Sequence, residues 1–234
     1  MLYERFPGLV SVVMTCHNVA PYVDDCLNSI LNQTYKHIEL IIVNDYSTDH
    51  TAEMIDNWIK KTNPSFPVVV VDLPRNVGFS GALNTGYYLS SGEYIAVQDG
   101  DDLSHPNRFE KQVNFLKMNP DHVLIGTNYK VFTDGEFENQ NNVHWLKYGQ
   151  DIKEVYWNGG HCICHGTILF RGVIFDELGG PTRRIKGAED YEFIAKCLNS
   201  NYQIENLKEA LYYYRLHPMQ RSREFFGEGS KGYE

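Results

Sequence analysis

Asp99, Asp101 and Asp102 fall within four residues at the end of the run Tyr94-Ile95-Ala96-Val97-Gln98. An apolar run that stops at three carboxylates reads as a buried strand delivering negative charge to its own carboxyl end. Acids this close repel one another, and their oxygens suit hard ions such as Mg2+ or Mn2+. The residues alone leave two readings open, a cation site or a turn that simply favours Asp and Gly. His217, ahead of Pro218, is a metal ligand or an ordinary surface histidine. The loop Arg75-Asn76-Val77-Gly78-Phe79-Ser80-Gly81 could set backbone N–H groups and Arg75 near a phosphate, although its spacing is neither the dinucleotide nor the P-loop fingerprint. Glu189 and Asp190 stand where acids in a first helical turn suit the macrodipole. His161-Cys162-Ile163-Cys164-His165 holds four competent zinc ligands, but on a strand alternate residues face opposite ways, so core thiols with one outward histidine are expected.

The elements that must carry these groups alternate. Residues 10–14, 38–43 and 68–71 read as short buried strands. Between them, Pro21 opens a helix with Cys26, Leu27, Ile30 and Leu31 on one face, and Ser47 or Asp49 caps another with Ile55, Trp58 and Ile59 inward. A helix follows the glycine loop and stops near Gly92, and Pro106 opens one with Phe109, Val113 and Leu116 inward. Residues 123–127 and 210–215 read as strands, residues 130–150 as irregular and acceptor-facing, and Tyr191, Ile194, Ala195 and Leu198 as one helix face. Alternation of this kind predicts a parallel sheet flanked by helices, which binds ligands beyond the carboxyl ends of its strands. The polar clusters collect there.

The totals narrow the classes. With 234 residues, 42% hydrophobic and 22% charged, one globular domain is expected rather than a disordered or fibrous chain. A net charge of −9 argues against a general nucleic-acid binder. No apolar run reaches the roughly 18–20 residues of a membrane span and no basic leader opens the chain. That predicts a cytoplasmic protein, either free or peripheral at the cytosolic membrane face. Five scattered cysteines fit reduced core thiols better than a disulfide framework.

Taken together, residues 12–18, 41–49, 75–84, 99–102 and 187–191 resemble, in order, the motifs of family 2 glycosyltransferases of the GT-A fold, across about residues 9–218. The resemblance implies an α/β fold with a Rossmann-like, mostly parallel central sheet flanked by helices and a smaller acceptor-side subregion. A nucleotide-sugar-binding half at about 9–128 would continue into an acceptor half at about 129–218, followed by a tail at 219–234. It further implies an inverting transfer of a sugar from a nucleotide-sugar donor, UDP-linked for preference, to a glycan, lipid-linked or protein-linked acceptor, with Mn2+ or Mg2+. Asp99-Gly100-Asp101 would be the DxD motif, Asp101 on the metal, Asp99 toward the ribose or metal, and Asp102 structural. Thr15, His17, Asn18 and Asp45 match positions around the nucleoside, and Arg75 and Asn84 lie beside the donor. Asp190, paired with Glu189, matches the catalytic base, and His217 a histidine that reaches the metal.

The sequence also departs from that pattern. Thr15-Cys16-His17 stands where Pro-Thr-Tyr is common, Asn44 where aspartate is, and Tyr46 where glycine is. Gln220-Arg221-Ser222-Arg223-Glu224 lacks the tryptophan of the processive Gln-x-x-Arg-Trp motif, which favours a single addition. Two rival classes are a nucleotidyltransferase of related α/β architecture, which would carry a basic glycine-rich loop near residues 12–18, and a non-catalytic nucleotide- or sugar-binding module.

Overall fold

The computed structural model describes residues 4–182 and 189–223. Strands β1 (Phe6–Cys16), β2 (Ile38–Asn44), β3 (Val68–Asp72) and β4 (Gly92–Asp99) alternate with helices α1 (Val23–Leu31), α2 (Thr51–Thr62) and α3 (Phe79–Leu89). β1 lies between β2 and β4, parallel to both, and β3 flanks β2. Val12 and Met14 pack on one face of β1 and Val13 on the other, so the strand is buried on both sides, as a continuous apolar run requires. Pro21 precedes α1 by two residues, and Tyr22 takes the N-cap position. His50 takes the N-cap position of α2, Asp49 just ahead of it accepts from Thr51 N at 3.0 Å, and the Ser47 hydroxyl accepts from Asn18 N at 2.9 Å.

The second half turns the sheet back on itself. After a two-residue strand β5 (Leu103–Ser104) and helix α4 (Arg108–Met118), the chain forms β6 (His122–Thr133), a short β7 (Asn141–Asn142), helix α5 (Gln150–Trp157), β8 (Leu169–Arg171), helix α6 (Gly172–Leu178), helix α7 (Glu189–Asn199) and a long β9 (Gln203–Leu216). α1, α2 and α4 cover the first face of the sheet, while α3, α6 and α7 cover the second. Among the described residues the sheet runs β3-β2-β1-β4-β8-β6-β9-β5, with β7 on β6. Its long ladders are parallel, and short β8 joins the halves by pairing antiparallel to both β4 and β6. β5 follows directly on the acidic turn after β4 and pairs with Tyr212 and Tyr213 of β9, so the sheet curls until its last edge meets the end of β4.

Two expectations change here. Residues 130–150 are not uniformly irregular, because β6 runs to Thr133 and β7 intervenes before α5 begins. Residues 161–165 do not form a strand; they run as a loop into a 3-10 turn, His165–Thr167. His161 instead bonds the Tyr156 hydroxyl at 2.7 Å and His165 meets the Phe79 ring edge-on.

One buried cation pins the curl. Arg108, fully buried in the first turn of α4, donates to Gln98 Oε1 (3.2 Å), Ser104 Oγ (2.9 Å), Gln112 Oε1 (3.2 Å) and the carbonyls of Val97 (2.8 Å) and Ile168 (3.3 Å). Its five N–H groups are thus all used, and Phe109 and Tyr212 present ring faces to the guanidinium. Burial pulls its pKa down to about 10, which leaves it charged at neutral pH. Arg108→Ala should lower the free energy of unfolding by about 3 kcal/mol or more, since it strands several buried acceptors at once. Urea titration of the two proteins measures this, and a loss of a few tenths would deny the arginine its pinning role.

Candidate functional site

The register of the parallel half decides which side chains meet. Thr15 pairs with Asp99 and Cys16 with Asn44, so β1, β2 and β4 end at one level and their following residues share one mouth. Gly100 N donates to Thr15 O at 3.1 Å, and a Cβ on Gly100 would stand 2.9 Å from Cys16 Sγ and 3.0 Å from that carbonyl. Only glycine permits this turn to lie so close to β1.

On the β2 side, Asp45 is buried and its carboxylate is engaged. Oδ1 accepts from Val77 N at 2.6 Å and Oδ2 from Gly78 N at 2.9 Å, which anchors the glycine loop to the end of β2. Each oxygen keeps a second lone pair. His17 Nδ1 donates to the Asp45 carbonyl at 2.8 Å, leaving the ring exposed. Asn18, at φ +54°, accepts from Thr48 N at 2.8 Å and ties the ends of β1 and β2 together. Arg75 is exposed on the same loop. Asn84 donates to Pro181 O at 2.8 Å and so tethers α3 to the segment that follows α6.

The acids divide by environment. Asp99 is half-buried, with its carboxylate over Gly166, where a Cβ would come within 2.8 Å of Oδ2. Asp101 Oδ2 accepts from His217 Nε2 at 3.0 Å, and the His217 ring is almost fully buried against Tyr22, centroids 4.2 Å apart. Sequence position leaves His217 undecided; the structure brings it from the end of β9 onto Asp101. Asp102 is buried, and its Oδ1 accepts from Arg215 N at 2.7 Å. Burial pushes its pKa well above the usual carboxylate range, and the charges of Asp101 and Asp99 add to the shift.

Arg215 organises this corner. The residue is buried, and its guanidinium donates to Asp101 O (2.9 Å), Asp134 Oδ1 (2.6 Å) and Asp25 Oδ2 (3.0 Å), between the faces of Tyr22 and Phe132. Burial works against its charge, but the bonds to Asp134 and Asp25 hold its pKa above the ordinary value. Gln220 closes the turn, accepting from His217 N at 3.1 Å and donating to Arg215 O. An Arg-x-His pair at a strand end is the one sequence signal that could have pointed to this corner.

The donors present could hold a hard divalent ion. Cis ligands of an octahedral ion at roughly 2.1 Å stand about 3.0 Å apart, the separation of His217 Nε2 and Asp101 Oδ2, so an ion there would replace the proton that His217 Nε2 gives to Asp101. Among the described residues no three His, Cys, Asp or Glu side chains form a ligand set, so the remaining positions would fall to phosphate and water, as is usual for Mg2+-type sites. The backbone of α7 begins at Glu189; the side chains of Glu189 and Asp190 lie outside the described residues.

The sequence profile described as Glycosyl transferase family 2 matches residues 11–179, most of the chain. The chain belongs to that family. The O-antigen biosynthesis glycosyltransferase WbnJ of Escherichia coli is 30% identical over 218 residues, 91% of this chain and 82% of that one. Among solved structures, Staphylococcus aureus TarS 1–349 in complex with UDP-GlcNAc matches with TM-score 0.71 at 20% identity, over 91% of this chain and 60% of that one. The mannosyltransferase PcManGT of Pyrobaculum calidifontis, in complex with GDP-Man and Mn2+, matches with TM-score 0.71 at 18% identity, over 92% and 59%. The family 2 chain therefore has the GT-A fold, and spans about 60% of the length of those solved chains.

Asp102 carries a pH signature. Its folded pKa is raised, so the folded chain holds a proton that the unfolded chain loses near pH 4, and stability falls as pH rises from there at about 1.4 kcal/mol per pH unit until the folded group ionises. Asp102→Asn keeps an oxygen for Arg215 N and removes that slope. The melting temperature of the variant relative to the parent should climb between pH 4 and pH 7; a constant difference across that range would contradict the assignment.

Proposed function

We propose that this chain transfers a single sugar from a nucleotide sugar, UDP-linked for preference, to a hydroxyl of a glycan, lipid-linked or protein-linked acceptor, with inversion and with Mn2+ or Mg2+. The observation that carries the reading is the 3.0 Å contact of His217 with Asp101 at the mouth formed by β1, β2 and β4. Asp101 and His217 would hold the ion and Asp99 would face the ribose or the ion. Thr15, His17, Asn18 and Asp45 would surround the nucleoside, with Gly100 and Arg75 beside the phosphates. Asn84 would act by holding the Pro181 segment next to the donor. The UDP-GlcNAc bound by TarS and the GDP-Man and Mn2+ bound by PcManGT support a nucleotide-sugar donor, and the name of WbnJ supports polysaccharide biosynthesis.

The divalent ion would neutralise charge developing on the leaving diphosphate. The acceptor oxygen attacks the anomeric carbon as the bond to phosphate oxygen breaks, and Asp190, with Glu189 beside it, takes the acceptor proton. One displacement inverts the centre. Thr182 N donates to Glu192 at 2.7 Å and Lys196 to Gly180 O at 2.9 Å, so α7 is bound to the segment that Asn84 tethers. Glu224 stands where the processive Gln-x-x-Arg-Trp motif has tryptophan, which supports single addition. No helix among the described residues is long and apolar enough to cross a membrane, and Cys16, Cys26, Cys162 and Cys197 are buried thiols, which suits a reducing cytoplasm.

A panel of UDP- and GDP-sugars with and without Mn2+ tests the reading. A bound donor at a hundred times its Kd should add about 2.7 kcal/mol of apparent stability, and only with the metal. Asp101→Ala should abolish that stabilisation, while Asp190→Asn should keep it and lose turnover by roughly 10²- to 10⁴-fold. Full transfer by either variant would sink the corresponding role, and stabilisation by donors without any turnover would favour a binding module.

A further inference from the structure

Tyr46 adopts a backbone conformation that the donor-site reading leaves unexplained. Its φ is +60°, in the left-handed region that a bulky side chain enters only at a cost. The other non-glycine residues with positive φ among those described are Asn18, Asn63 and Asn201, and asparagine tolerates the region through its short polar side chain. Tyr46 stands out as the aromatic among them.

The conformation is imposed from both sides. Before it, Asp45 N donates to Cys16 O at 2.8 Å, the Asp45 carbonyl accepts from His17, and the Asp45 carboxylate holds Val77 N and Gly78 N. After it, Ser47 N donates to Asn44 Oδ1 at 3.1 Å and the Ser47 hydroxyl accepts from Asn18 N. The peptide between these anchors cannot relax without breaking them. The Tyr46 side chain gains little from the core, since the residue is 51% exposed. It follows directly on Asp45, whose carbonyl holds the exposed imidazole of His17, so Tyr46 and His17 are exposed residues next to the carboxyl ends of β2 and β1. Ligands of open α/β sheets bind at such ends. Backbone strain held in place at a ligand-binding strand end points to a functional role for the exposed side chain that it carries.

We propose that Tyr46 is the nucleobase-stacking residue of this site, a positioning platform for the base of the nucleotide sugar, with Asp45 and His17 at its edge. The inference rests on the donor site proposed above. Stacking accepts any base, because each has a π face, so Tyr46 sets affinity rather than the choice between uracil and guanine.

Glycine at this position separates strain from binding. Tyr46→Gly takes φ +60° freely, so its melting temperature should equal or exceed that of the parent. Its affinity for UDP and for GDP with Mn2+, measured by calorimetry on the full chain, should fall roughly 5- to 100-fold, while Tyr46→Phe should stay within about twofold of the parent. Inorganic pyrophosphate with Mn2+, which has no base, should bind parent and Tyr46→Gly alike. Tyr46→Gly binding UDP as tightly as the parent overturns the stacking role alone, as does an affinity loss that extends equally to pyrophosphate. A parent that binds neither UDP nor GDP overturns both this inference and the donor site beneath it.

Discussion

Three carboxylates within four residues at the end of a buried strand form the constraint on which this structure depends. The chain meets it by giving each acid a different environment. Asp102 is buried against the Arg215 amide and held toward its protonated form, Asp101 leans on His217, and Asp99 rests over Gly166. Two buried arginines stand behind them. Arg215 contacts the Asp101 carbonyl and pairs with Asp25 and Asp134, while Arg108 spends its donors on neutral acceptors and keeps its charge beneath the turn. Because Arg215 meets Asp101 through the backbone carbonyl, the Asp101 carboxylate stays turned toward His217.

The curl of the sheet follows from the same need. β9 must reach the carboxyl end of β4 to bring Tyr212, Arg215 and His217 onto the acids, and β5 pairs with β9 where that contact is made. The parallel half supplies the mouth, and the second half supplies the positive charge and the imidazole. Each half alone would leave acids without their partners or a buried cation without its acceptors, so the fold and the site share one set of interactions.

Much of the first half was legible because its strands are buried on both faces and read as unbroken apolar runs, with polar clusters at their carboxyl ends. Residues 10–14, 38–43 and 68–71 all lie inside observed strands. β8 was not legible, since three residues, Leu169-Phe170-Arg171, carry no period. Residues 161–165 mislead for the opposite reason: an apolar Cys-Ile-Cys run between two histidines imitates a short strand, whereas Cys162 and Ile163 are buried in a loop. The acids were visible as a cluster, but their separate environments depend on Arg215, which reads in sequence as the end of a strand. Asn84 belongs to the predicted motif, yet only tertiary placement shows it holding Pro181.

In the proposed site the strand-end acids would bind a divalent ion together with a nucleoside diphosphate. Coupling between the two ligands tests it directly, because thermodynamic linkage requires each to change the affinity of the other by the same factor. Mn2+ binding followed by electron paramagnetic resonance, with and without saturating UDP, should show at least about tenfold tighter binding when UDP is present, and UDP should respond equally to Mn2+. Independent binding of the two, or no Mn2+ binding in the presence of UDP, would contradict the account.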